Sequence, residues 1–217
     1  MKFFIISGGH IDDAFAVEWI QTHSYDQIIA ADSGMNFLHR NHIVPNVIAG
    51  DFDSVSSESL EYFQKLKEVE VLRLNPIKDD TDTEYVIREA IRRGAKEITI
   101  LGATGTRLDH VLANMYLLGI GFENNVSISI VDTHNRIRMI SQSLTIAKEK
   151  QFGDYVSVLP VAGTAYDVTL KGMKYPLQDA VLQQFSSVGV SNEIVGEVAE
   201  ITVTEGTLLV IESRDKF

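Results

Sequence analysis

Three short segments of this 217-residue chain place carboxylates where apolar strands should end. Gly50-Asp51-Phe52-Asp53-Ser54 follows Val47-Ile48-Ala49, and Lys78-Asp79-Asp80-Thr81-Asp82 comes just after Val69 to Leu74. Thr104-Gly105-Thr106-Arg107-Leu108-Asp109-His110 follows Glu97 to Leu101. In an open parallel sheet, the loops after the carboxyl ends of strands converge on one crevice, where ligands bind. Three such loops would gather several aspartates with Lys78 and Arg107. That mixture suits a magnesium ion holding a polyphosphate, the carboxylates taking the metal and the cations the phosphates.

Each segment also has a plainer reading. Gly-Asp-x-Asp-Ser is rich in turn formers, but in an extended stretch Asp51 and Asp53 would point the same way and could share an ion. Read alone, that segment fits either use; the two neighbouring acidic loops favour metal. Thr81-x-x-Glu84 fits a capping box, and acids in a first helical turn suit the helix dipole. Capping leaves Lys78 and Asp79 over, and lysine is a common phosphate ligand. The glycine-rich run into Arg107 offers free N–H groups to an anion and an arginine fork to a phosphate. It lacks the Gly-Lys-Ser/Thr ending of a P-loop. His110 and Asn114 are one helical turn apart, away from a Leu108, Val111, Leu112, Met115 stripe expected in the core. Asp32 or Ser33 reads as a helix cap. Ser191-Asn192 reads as part of a turn.

The elements that would position these groups alternate. Strands are expected at Phe3–Ile6, Gln27–Ala31, Val47–Ala49, Val69–Leu74, Glu97–Leu101 and Val126–Val131. Helices are expected at Asp12–Thr22, Ser33–Asn41, Ser56–Lys67, Asp82–Arg93 and Leu108–Leu118. Such alternation predicts a doubly wound, mostly parallel sheet with helices on both faces. Beyond residue 134 the pattern becomes short strands, at Arg136–Ile140, Tyr155–Leu159, Tyr166–Leu170, Glu197–Val203 and Thr207–Glu212, punctuated by glycines. A C-terminal all-β sandwich follows from that texture. The expected division is 1–133 and 134–217.

Bulk properties narrow the function. The formal charge of −11 with no basic tract argues against nucleic acid as a partner. The absence of cysteine removes disulfides and thiolate chemistry. No stretch approaches the roughly 18 apolar residues of a membrane span, so a cytoplasmic protein is the default expectation.

Taken in order, Gly50-Asp51-Phe52-Asp53-Ser54, Lys78-Asp79-x-Thr81-Asp82 and Thr104-Gly105-x-Arg107-x-Asp109-His110 resemble the thiamine pyrophosphokinase (thiamine diphosphokinase) family. Asp32-Ser33-Gly34-x-Asn36 and Ser191-Asn192 fit the same pattern, and Thr106 stands where the family commonly has a second glycine. The resemblance implies an α/β domain followed by a β-sandwich, in a homodimer with active sites between subunits. It implies transfer of the pyrophosphoryl group of ATP to the hydroxyl of thiamine, with magnesium, giving thiamine diphosphate and AMP. On that basis residues 1–133 hold ATP and metal, and 134–217 serve thiamine binding and dimerisation. Asp51, Asp53 and Asp79 would hold magnesium, and Asp82 would orient the hydroxyl or a metal-bound water. Lys78 and Arg107 would hold phosphate oxygens, while Asn36, Thr81, Asp109 and His110 would line the nucleotide region. Asp32, Ser191 and Asn192 would serve thiamine. Two other classes use the same residues: a magnesium-dependent nucleotide phosphohydrolase, and a non-catalytic nucleotide-binding regulator. The density of carboxylates argues against the regulator.

Overall fold

The computed structural model describes residues 1–75 and 80–215, so Lys78 and Asp79 lie outside the described residues. The chain divides into two compact units, Met1–Thr133 and His134–Phe217.

In the first unit six strands alternate with helices: β1 Lys2–Ile6, α1 Asp13–Thr22, β2 Gln27–Ala31, α2 Gly34–Arg40, β3 Val47–Gly50, α3 Ser57–Lys65, β4 Glu70–Arg73, α4 Asp82–Arg92, β5 Glu97–Leu101, α5 Leu108–Leu117, α6 Ile120–Asn124 and β6 Ser127–Val131. The strands run in the order β4-β3-β2-β1-β5-β6, every pairing parallel. Strands buried on both faces should read as continuous apolar runs. β1 is one: Phe3, Phe4, Ile5 and Ile6 are wholly buried. α2 packs on α3, and α4 on α5. Right-handed crossovers put these two pairs on opposite faces of the sheet.

Local signals explain where the helices begin and stop. Asp12 and Ser56 accept from the N–H groups of Phe15 and Ser59 and cap α1 and α3. Thr81 caps α4 by accepting from Glu84 N–H at 3.2 Å. Only that half of the expected capping box forms, because the Glu84 carboxylate takes Arg88 instead. α4 ends at Gly94, φ 89°, with Gly94 N–H donating to Ile91 and Ala95 N–H to Ala90. These are the two bonds of a Schellman stop, which a glycine at positive φ permits.

α5 departs from expectation. Leu108, Leu112 and Tyr116, one turn apart, are 71%, 56% and 67% exposed. Of the stripe expected in the core, Leu108 and Leu112 therefore face outward and Val111 and Met115 are half-buried, while Asn114 and Leu118 are buried. Asn114 tolerates burial because its amide donates to Ala103 O at 2.8 Å.

The second unit is a β-sandwich of β7 Asn135–Ile140, β8 Ser143–Ala147, β9 Tyr155–Lys171, β10 Leu177–Leu182, β11 Val198–Thr202 and β12 Glu205–Ser213. The two strands expected at Tyr155–Leu159 and Tyr166–Leu170 are one 17-residue strand, β9. It bends at Ala162 and Gly163, both at positive φ. Residues 155–161 pair with β12, which shifts register to meet Tyr166 as well, and residues 165–171 pair with β10 and β11. One strand thus belongs to both layers, and Val156, Val158, Leu170, Ile201, Leu208 and Val210 fill the space between them.

One charge sits in this apolar setting. Glu212 is 0% exposed. It accepts from Arg136 Nε and Nη2, each at 2.7 Å, from Phe152 N–H at 2.9 Å, and from Arg138 Nη2. Burial opposes its ionisation, but the hydrogen bonds from Arg136 and the charge of Arg138 outweigh that, and its pKa lies below the ordinary glutamate value.

Candidate active site

The strand order reverses direction between β1 and β5, which is where open α/β sheets bind ligands. The loops after these two strands continue to pair beyond the sheet. Ser7 N–H donates to Leu101 O, Gly9 N–H to Gly102 O, and His10 N–H to Thr104 O, at 2.7–2.8 Å. This requires bare backbone. Gly102 has φ 72°, and a Cβ there would lie 2.3 Å from Ser7 O; a Cβ on Gly9 would lie 2.4 Å from Gly102 O. A third loop joins through a buried contact, Ser7 Oγ to Thr83 Oγ1 at 2.6 Å, which ties the first turn of α4 to the end of β1.

These loops enclose a cavity of about 550 Å³, lined among others by Gly8, Asp32, Thr81, Asp82, Arg107 and His110. That volume suits a small ligand of nucleotide size.

Beside it lies an acidic cluster. Carboxylate oxygens of Asp32, Asp51 and Asp53 all fall within 4.8 Å of one another. Asp51 and Asp53 come together, though not through extended backbone. Phe52 between them is left-handed, φ 67°, and Asp53 N–H donates to Asp51 Oδ1 at 3.1 Å. The segment is a turn, and the turn is what aims both carboxylates. Asp32 is the member that sequence reading placed elsewhere. Neither its side chain nor that of Ser33 caps α2; Asp32 is itself left-handed, φ 48°, and Ser33 Oγ donates to Gly8 O. Burial pushes the Asp32 carboxyl above the usual aspartate range; a hydrogen bond from Ser54 opposes this, and the charges of Asp82 and Asp53 add to it. Its Oδ1 is buried without a hydrogen-bond partner among the described residues. Crowded carboxylates, one oxygen uncompensated, fit a hard divalent cation with oxygen ligands.

The other expected residues fall into distinct places. Thr81, Asp82, Arg107 and His110 line the cavity. Asn36 does not: its Oδ1 accepts from Ser56 N–H at 3.1 Å and braces the start of α3. Asp109 faces Arg107, taking Nε at 3.2 Å and Nη2 at 2.6 Å. The hydrogen bond from Arg107 lowers the Asp109 carboxyl to about 2. His10, which sequence reading passed over, also lines the cavity; its position at the end of a glycine pair after β1 was the available signal.

The thiamin pyrophosphokinase catalytic-domain model matches residues 20–130, and the thiamin pyrophosphokinase vitamin B1 binding-domain model matches residues 141–208. Thiamine pyrophosphokinase of Bacillus subtilis (strain 168) is 30% identical over 188 residues, 86% of this chain and 87% of that protein. The chain belongs to the thiamine pyrophosphokinase family. A crystal structure of the Bacillus subtilis enzyme superposes with a TM-score of 0.88 at 29% identity, covering 99% of this chain and 100% of that one. Thiamin pyrophosphokinase from Geobacillus thermodenitrificans gives 0.85 at 30% identity, covering 99% and 98%.

In a thiamine pyrophosphokinase the pairing of Arg107 with Asp109 has a consequence. Both side chains are largely exposed, and exposed ion pairs contribute little and exchange readily. If Arg107 holds a phosphate, that phosphate would compete with Asp109 for the planar fork. Lysine at this position retains charge but not the fork. Arg107→Lys should lower kcat/KM at least about tenfold with an unchanged circular dichroism spectrum; activity within about a factor of two would make Arg107 a surface residue.

Within the segment that matches the vitamin B1 binding model, Ser191 and Asn192 differ sharply. Ser191 is exposed, left-handed at φ 56°, and its N–H donates to Ser157 Oγ. Asn192 is 2% exposed. Its amide is committed: Oδ1 accepts from Tyr175 N–H and Glu193 N–H, and Nδ2 donates to Tyr175 O at 2.7 Å. Asn192 therefore holds Tyr175, a residue 60% exposed whose ring has Lys174 Nζ 5.6 Å from its centroid. The loop ahead of Ser191 carries Phe185 fully exposed.

Proposed function

We propose that this chain transfers the pyrophosphoryl group of ATP to the hydroxyl of thiamine. The observation that carries the reading is the Asp32, Asp51, Asp53 cluster at the edge of a nucleotide-sized cavity. The thiamine oxygen attacks the β-phosphorus and a new O–P bond forms. The bond from the β-phosphorus to the oxygen bridging it to the α-phosphorus breaks. AMP leaves with that oxygen, and the hydroxyl proton passes to a carboxylate or solvent.

Magnesium, held by Asp51, Asp53 and Asp79 with Asp32 alongside, would neutralise charge on the phosphates. Lys78 and Arg107 hold phosphate oxygens. Thr81, Asp109, His110 and Asn36 serve the nucleotide region, the last by bracing its loop. Asp82, the first residue of α4, orients the hydroxyl or a metal-bound water. In such transfers most of the acceleration comes from positioning and charge neutralisation. Thiamine is a cation, so an acidic cleft favours its approach. Ser191 and the Asn192-held Tyr175 offer it an exposed hydroxyl and an aromatic face. With ATP as substrate, the cytoplasm is the expected location. No helix among the described residues is long and apolar enough to cross a membrane.

The test is product analysis with Mg-ATP and thiamine. Equal amounts of AMP and thiamine diphosphate are expected. Phosphate or pyrophosphate released without thiamine would indicate a hydrolase, and no turnover a regulator.

The uncovered Leu108, Leu112 and Tyr116 of α5 support a homodimer. They flank the Arg107 loop, so the second copy would meet the chain beside its active site, and thiamine contacts would come from the partner. Leu108→Asp combined with Leu112→Asp should give a monomer by light scattering with its ellipticity intact. A stable dimer in that variant would move the interface elsewhere.

A further inference from the structure

The two aspartates of the β3 turn are separated by a residue poorly suited to its backbone. Phe52 sits at φ 67°, where a bulky side chain is a conformational outlier, and such outliers persist only when the surroundings impose them. The surroundings here are specific. The Phe52 ring is buried, the residue being 7% exposed. Its Cδ1 lies 3.5 Å from the position a Cβ on Gly50 would occupy, and the Asp32 Cα lies 3.4 Å from that same position. The Phe52 ring and the Asp32 backbone thus both lie within van der Waals range of the Gly50 side-chain position. The Arg73 guanidinium covers the ring from outside, 5.4 Å from its centroid. Arg73 is brought beside it by pairing with Gly50 in the β3–β4 register. Asp32 is fixed because its N–H donates to Ala49 O at 2.9 Å.

We infer that Phe52 is the positioning residue of the metal cluster: its ring, pinned between Gly50 and Arg73, forces the left-handed turn that brings Asp51 and Asp53 to Asp32. This rests on the reading of those three carboxylates as a metal site. A glycine would accept the same φ without strain, but nothing would hold it there. Leucine would keep an apolar anchor.

The experiment uses the full-length protein and Mn²⁺ alone, its binding followed by electron paramagnetic resonance, with Asp53→Asn identifying the site. Phe52→Gly should weaken Mn²⁺ binding about tenfold or more, and raise the magnesium concentration for half-maximal turnover, with kcat at saturating magnesium nearly kept. Phe52→Leu should recover most of the affinity, and Arg73→Gln should fall between. Circular dichroism of each variant should match the parent. Wild-type protein that binds Mn²⁺ at Asp53, with Phe52→Gly binding it equally well, would overturn the inference alone. Wild-type protein that binds no Mn²⁺ would overturn both the inference and the metal reading beneath it.

Discussion

Asp53→Asn should abolish turnover, by about a thousandfold or more, while the protein stays folded. Asp53 is the exposed member of a cluster whose oxygens lie within 4.8 Å of one another. Asparagine keeps the shape and one oxygen but removes the charge that a hard cation needs. Losing a preorganised electrostatic contribution of this kind typically costs a hundredfold to a thousandfold. Stability should move the other way. Burial is the main cause of the raised Asp32 carboxyl, and the charges of Asp82 and Asp53 add to it. Removing one should therefore hold or raise the melting temperature. Near-normal turnover in this variant would remove Asp53 from the metal site.

The second large effect is on stability and lies far in sequence from the acidic loops. Glu212→Ala leaves Arg136 and Arg138 without the carboxylate that both of them bond. Breaking a buried pair by deleting one partner costs about 3–5 kcal/mol. In a chain of this size that corresponds to a melting temperature lower by roughly 10 °C. The same group gives an acid dependence. Its folded pKa is lowered, so its contribution is fully present above the unfolded value, about 4.3 for glutamate, and is lost as pH falls through the folded value. Thermal unfolding followed from pH 6 to pH 3 should therefore show wild type losing stability steeply at the acid end and Glu212→Ala losing less. Parallel pH profiles for the two proteins would contradict this assignment.

The parallel sheet was legible because its strands are continuous apolar runs and its helices carry caps. Asp12, Ser56, Thr81 and Gly94 mark boundaries through local chemistry that short-range sequence contains. β8 and β10 escaped notice although Ser143-Leu144-Thr145-Ile146-Ala147 alternates. β10 is harder, since it pairs with β9 through two irregularities and carries Asp179 at φ 46°. β9 was read as two strands because a glycine in a strand usually means a turn; here Gly163 marks a bend between layers.

At the site, residue types were legible and conformations were not. Asp51 and Asp53 meet through a left-handed turn rather than by strand alternation; a local bond from Asp53 N–H to Asp51 Oδ1 closes it, and the Phe52 ring at its centre meets Arg73, a contact invisible in the segment itself. Asp32 joins them because β2 and β3 are neighbours, a fact of topology invisible in its own segment. Leu108 and Leu112 of the α5 stripe stand exposed for a related reason. Helical periodicity says which side chains share a face, and it does not say whether that face meets the core or lies exposed in the single chain.

The most direct measurement follows two labels from ATP. Supplied with thiamine and magnesium, ATP labelled at the β-phosphorus and ATP labelled at the γ-phosphorus should each deliver label to thiamine diphosphate in equal yield, with unlabelled AMP as the other product. Transfer of the γ label alone, leaving ADP, or release of either label to water without thiamine, would contradict a pyrophosphoryl transfer at this site.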